Sequence, residues 1–136
     1  EVILQNFHPK KGTSMQEHKT PDTSYFKSIV ALCRIIMPDM NIQIPPNLSQ
    51  KNYHDFLSVG INDWGGISPI TADYVNPEFS WPKIKNIEKK CASYNFKLKA
   101  RFPIYPEFVS IINKKLRDRM SLIADDENYV REDYWK

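Results

Sequence analysis

The chain has 136 residues, 41% of them hydrophobic and 26% charged, with a formal net charge of +3. That suffices for one ordinary domain with a core, is too short for two well-cored ones, and is too apolar for a disordered segment. No run approaches the roughly 18 apolar residues of a membrane-spanning helix, and the lysine pairs at 10–11, 89–90 and 114–115 are too dispersed for a nucleic-acid stripe.

Residues 2–7 read as a short buried strand, closed by His8-Pro9 and a polar loop through Gly12. The chain opens inside this apolar run without a methionine, which suggests the C-terminal piece of a longer protein. Thr20 as N-cap with Pro21 at the first helical position predicts a helix. Phe26, Ile29, Val30, Cys33 and Ile36 give that helix one apolar face, and Pro38 stops it. Residues 40–44 form a second strand, ended by Pro45-Pro46 because proline cannot donate to a ladder. Ser49 caps a short helix carrying Tyr53, Phe56 and Leu57, with Gly60 suited to its C-terminal cap. Residues 61–64 make a third, very short strand, and Gly65-Gly66 opens a proline-rich loop in which Asn76-Pro77 is turn chemistry. Trp81-Pro82 starts another helix with Ile84, Ile87, Cys91 and Tyr94 inward. Residues 98–104 form a strand or an extended arm, and Pro106 starts a last helix to about residue 124, with Val109, Ile112, Leu116 and Ile123 apolar. The charged tail from Asp125 frays unless Tyr129, Tyr134 and Trp135 dock it.

Strand and helix alternating three times is the pattern of an α/β fold with a parallel sheet. Right-handed crossovers place all three strand ends on one edge. That edge collects Gln5, Asn6 and His8, then Gln43 and Asn47, then Asn62, Asp63 and Trp64. Asparagine and glutamine each present a donor and an acceptor, so several together suit a neutral, heavily hydrogen-bonding ligand such as a ribose, a uracil or an amino acid. Asp63 can take a hydroxyl or an ammonium, Trp64 offers a face for stacking, and Gly65-Gly66 lets backbone approach a ligand closely. The plainer alternative is that Asn41 and Asn62 only tie loops to strand ends. His8 is either a general acid or base or an exposed loop residue, and His18 and His54 read as exposed loop residues. Cys33 and Cys91 read as buried free thiols in a reducing cytoplasm, without partners at metal-ligand spacing. No general base flanks a nucleophile, so these residues hold something reactive rather than react themselves.

The segments from Val2 to Phe7, Lys11-Gly12-Thr13, Met40 to Leu48, Gly60-Ile61-Asn62-Asp63-Trp64-Gly65-Gly66-Ile67-Ser68-Pro69, Asn76-Pro77-Glu78, Trp81-Pro82 and Pro103-Ile104-Tyr105-Pro106-Glu107 resemble one family in order and spacing. It is the radical S-adenosylmethionine (SAM) family of 7,8-didemethyl-8-hydroxy-5-deazariboflavin (FO) synthases, in the cyclising subunit or half. The resemblance covers residues 1–108 closely and the remainder loosely. It implies the last three units of a TIM-type (β/α) barrel over residues 1–108 and a C-terminal helix and charged tail over 109–136. By the same resemblance, a [4Fe-4S] cluster cleaves SAM reductively. The resulting radical acts on a tyrosine–ribityldiaminouracil adduct supplied by a related adduct-forming subunit, and ring closure releases ammonia. The family's cysteine triad, spaced C-x3-C-x2-C, is absent here. The chain alone is therefore expected to bind no cluster and to be inactive, with its amides gripping SAM and substrate. The resemblance puts Asn6 first among these contacts, followed by Gln5, Gln43, Asn47, Asn62 and Asp63, with Trp64 stacking on a ring or closing the barrel end. Related radical SAM barrels of menaquinone synthesis or biotin synthase share the strand order, and a non-catalytic small-ligand-binding domain is the alternative from another class.

Overall fold

A computed structural model describes residues 1–49, 51–68 and 70–136; Pro69 of the motif above lies outside them. The described chain is mixed helix and strand, in two compact units, Glu1–Phe96 and Lys97–Lys136.

In the first unit, β1 (Val2–Ile3) pairs in parallel with β2 (Ile42–Gln43), Val2 opposite Ile42 and Ile3 opposite Gln43. A third segment joins the far side of β2 through one parallel bridge, Gln43 opposite Asp63. The parallel order expected from the sequence is therefore present, but the strands are shorter than the apolar runs. Two causes are visible. Pro45 and Pro46 bring no N–H to the ladder after Ile44, whose own N–H donates to the Asp63 carbonyl (3.2 Å). Gly65, at φ +71°, then turns the third segment away.

Between β1 and β2 runs α1 (Thr23–Ile36). Its N-cap is Asp22 rather than Thr20: the Asp22 carboxylate accepts from the Tyr25 backbone N–H at 2.7 Å and from the Ser24 hydroxyl at 2.7 Å. These donors, the Tyr25 amide foremost, hold the Asp22 carboxyl below its usual range. Phe26 and Val30 face inward as the periodicity requires, whereas Ile36, at the end of the stripe, is exposed.

The crossover after β2 holds two 3₁₀ turns, Pro46–Ser49 and Tyr53–Val59, in place of an α-helix capped by Ser49. Ser49 ends the first turn, and its carbonyl accepts from the Asn52 N–H at 2.9 Å. Gly60 closes the second turn at φ +107°; a Cβ there would lie 2.6 Å from Arg34 Cγ, so glycine is required twice over. Phe56 packs edge-on to Phe26 at 5.2 Å between ring centroids. Behind the third segment lies α2 (Ile84–Ser93), burying Ile87 and Cys91. The core of this unit runs from Ile42 and Ile44 through Phe56 to Ile87.

In the second unit the single last helix is instead a 3₁₀ segment, Pro106–Ile111, and a separate α3, Lys114–Met120. Asn113 makes the break by accepting from the Leu116 N–H at 2.9 Å, an N-cap inside the apolar run. The tail does not fray. Val130 bridges Ala100 in antiparallel fashion, its N–H donating to the Ala100 carbonyl at 2.8 Å. Lys99 pairs with Asp125 (3.4 Å) and Glu127 (2.9 Å) beneath the Tyr129 ring.

Candidate functional site

All three parallel segments of the first unit end on one edge, and the amides expected there fall into two groups. Asn6 is half-buried, Gln43 is 6% exposed and Asn47 fully buried. Each has a side-chain oxygen that is buried without a hydrogen-bond partner: Asn6 Oδ1, Gln43 Oε1 and Asn47 Oδ1. A buried acceptor left unpaired costs about 1–3 kcal/mol, so three on adjoining strand ends ask for an explanation.

Sequence and geometry place these oxygens. Alternation along β2 sends Ile42 and Ile44 to the helix-covered face and Gln43 to the other. Ile3, in register with Gln43, is half exposed, and Gln5 is exposed. That face of the sheet therefore has no covering layer among the described residues. Gln43 is shielded instead by the turn at Gly65, where a Cβ would sit 2.8 Å from Gln43 Oε1. Asp63 secures the turn, accepting the Gly65 N–H at 2.8 Å.

Asn47 is held from the proline-rich loop. Its Nδ2 donates to Asp73 Oδ2 at 2.9 Å and to the Phe79 carbonyl at 3.4 Å. Asp73 in turn accepts from the Val75 N–H (2.9 Å), the Asn76 N–H (3.0 Å) and Asn76 Nδ2 (3.3 Å). Partial burial opposes its ionisation, but these donors and Asn47 outweigh it and keep the carboxyl below its ordinary value. His8 completes the strap: Nε2 donates to the Leu48 carbonyl at 2.9 Å, and the ring lies against Phe79 at 4.4 Å. Lys10 pairs with Glu78. His8 is thus a half-buried strut rather than an exposed loop residue.

Asn62 and Trp64 do not join this group. Asn62 reaches back to the start of β2, where Oδ1 accepts from the Ile42 N–H (2.9 Å) and Arg34 Nη2 (3.2 Å) and Nδ2 donates to Asn41 Oδ1 (2.6 Å). This is the plainer alternative for Asn41 and Asn62. Arg34 organises the same end, donating to the carbonyls of Gly60, Pro38 and Met40 at 2.8, 2.7 and 2.7 Å. Trp64 lies in the core, its ring edge-on to Tyr53 at 5.4 Å and its Nε1 donating to Cys91 Sγ at 3.4 Å. Burial raises the Cys91 thiol. His54, read as an exposed loop residue, is half-buried, with an unpartnered Nδ1, while His18 is exposed. Asp73 and Arg34 were not singled out by sequence reasoning. Asp73 carried a signal, since an aspartate three residues before Asn76-Pro77 is a side-chain-closed turn.

Cysteines and histidines do not assemble a metal site. Cys33 and Cys91 are free thiols on separate helices, and no group of three ligating side chains occurs among the described residues. These residues do not fit an iron–sulfur cluster.

A protein of Methanopyrus kandleri named 7,8-didemethyl-8-hydroxy-5-deazariboflavin synthase is 41% identical over 133 residues, 96% of this chain and 40% of that protein. This chain matches part of the FO synthases. The proteins of that name from Methanocaldococcus jannaschii and Methanothermobacter thermautotrophicus are 44% and 43% identical over 81% of the chain. The chain spans about 40%, 31% and 34% of the length of these three FO synthases. No protein-family model matches the chain, and no solved structure matches it. No helix of the described residues is long and apolar enough to cross a membrane.

Proposed function

We propose that this chain is the C-terminal part of a cytoplasmic radical SAM enzyme that forms FO from a tyrosine–ribityldiaminouracil adduct with loss of ammonia. Its part in the reaction is to hold SAM and the adduct at the carboxyl edge of three parallel strands of a (β/α) barrel. The single observation that carries this reading is the set of buried, unpartnered oxygens on Asn6, Gln43 and Asn47. Gln5, on the uncovered face, and Asp63, at the end of the third segment, complete the rim. The FO synthase relatives supply the chemistry for which such a rim is suited. The cluster and its SAM-cleaving chemistry belong to cysteines outside this chain, and the adduct is supplied by a related subunit.

What the residues here contribute is pinning. A reactive radical is useful only when its target is held at near-contact distance and water is kept away. Amide groups on strand ends suit that task, because their positions are set by the sheet rather than by mobile loops.

Asn6→Ala and Gln43→Ala in the full-length enzyme test the reading. Both variants should lose FO formation, followed by chromatography, while the iron–sulfur absorbance stays at the parent level. Undiminished turnover in both would remove the rim from the reaction.

A further inference from the structure

We infer that Asp73 is a positioning residue that locks the Asn47 amide with its oxygen toward the ligand, making this part of the rim selective for a group that donates hydrogen bonds. The inference rests on the preceding reading of the rim and adds its chemical polarity. An asparagine amide can ordinarily turn over and present either its donor or its acceptor. Asn47 cannot. Its nitrogen side faces a carboxylate oxygen and a backbone carbonyl, both of which only accept. Turning the amide over would set its oxygen against two other oxygens in a fully buried position.

The oxygen is therefore left on the opposite side of the amide, buried and unpartnered. Gln43 and Asn6 repeat the pattern, each with an orphaned acceptor. A phosphate or carboxylate would meet three oxygens and no donor from these amides. A hydroxyl, an N–H or an ammonium would satisfy each of them. The ligand portion that fits is polyhydroxylated or rich in N–H groups, uncharged or cationic.

The lock has a consequence that the rim residues alone lack. Asp73 touches no ligand, and it acts through Asn47. Removing it should weaken binding only while Asn47 is present. In the full-length enzyme, calorimetry with SAM and, separately, with the tyrosine–ribityldiaminouracil adduct gives the affinities without turnover. Asp73→Ala should weaken one of the two by about tenfold, the scale of one oriented hydrogen bond. Asp73→Asn keeps a carbonyl oxygen for Asn47 and should stay within about threefold of the parent. In an Asn47→Ala background, Asp73→Ala should add less than about twofold. Parent affinity for both ligands in Asp73→Ala, or an undiminished effect in the Asn47→Ala background, overturns the inference. Should Asp73→Ala not fold, the Asp73→Asn and Asn47→Ala arms decide: a tenfold loss in the former, or none in the latter, overturns it. An enzyme that binds neither SAM nor the adduct fails the proposed function itself, a result distinct from any of these.

Discussion

Gly65→Ala isolates the contact between the third segment and the rim. Two effects add. Gly65 has φ +71°, in the left-handed region, where an L-residue costs roughly 1–2 kcal/mol. Its new Cβ would also stand 2.8 Å from Gln43 Oε1 and 3.4 Å from Gln43 Cδ. Gln43 is the far end of a flexible side chain, so it swings aside, but from a buried position and into a poorer rotamer at about 0.5–1.5 kcal/mol. Gly12 is the control, with φ +81° and nothing within 4 Å of its would-be Cβ. Gly12→Ala should therefore lose about 1–2 kcal/mol and Gly65→Ala about 2–3 kcal/mol in equilibrium urea denaturation of the protein. The second readout is affinity for the adduct, which Gly65→Ala lowers and Gly12→Ala leaves alone. Equal losses of stability and affinity in the two variants would refute the placement of Gln43 against this turn.

Arg34→Ala should destabilise by about 2–4 kcal/mol, since its guanidinium serves the Gly60, Pro38 and Met40 carbonyls and Asn62. Arg34→Lys should recover less than half, because an ammonium lacks the planar fork; full recovery in a thermal melt would contradict the shared-donor geometry. Phe56→Ala, at a site 1% exposed, should lose about 3–5 kcal/mol, whereas Ile36→Ala, at 66% exposed, should stay within about 0.5 kcal/mol. The Asp73 carboxyl, held below its ordinary value of 3.8, contributes stability that is fully present above that value and is lost as pH falls through the lower native one. A carbon-detected NMR titration should give Asp73 a midpoint below 3.8, and a midpoint at or above it would show that the loop donors are not engaged.

Parallel order and helix faces were legible because they rest on local chemistry. Prolines at 45 and 46 end a ladder wherever they stand, and the spacing of Phe26 and Val30 assigns the inner face of α1. Element boundaries were less so. Asp22 displaces Thr20 as cap, and Asn113 splits the last helix, because short polar side chains near a start compete for the same backbone N–H groups. Among the site residues, all the amides looked alike in sequence. What separates Asn62 from Asn47 is long-range: Arg34 lies 28 positions from Asn62 in the chain, and Asp73 lies 26 from Asn47. No local pattern records which partner an amide finds. Trp64 was ambiguous for a similar reason, since an aromatic side chain at a strand end serves equally for stacking a ligand or sealing a core.

The central claim is that three buried amide oxygens at one sheet edge await donors from a ligand. A crystal structure of the full-length enzyme with the tyrosine–ribityldiaminouracil adduct and SAM bound measures it directly. Asn6 Oδ1, Gln43 Oε1 and Asn47 Oδ1 should each lie within hydrogen-bond distance of a hydroxyl or N–H of one of these molecules. Both molecules bound elsewhere, with the three oxygens facing only protein atoms, would contradict it.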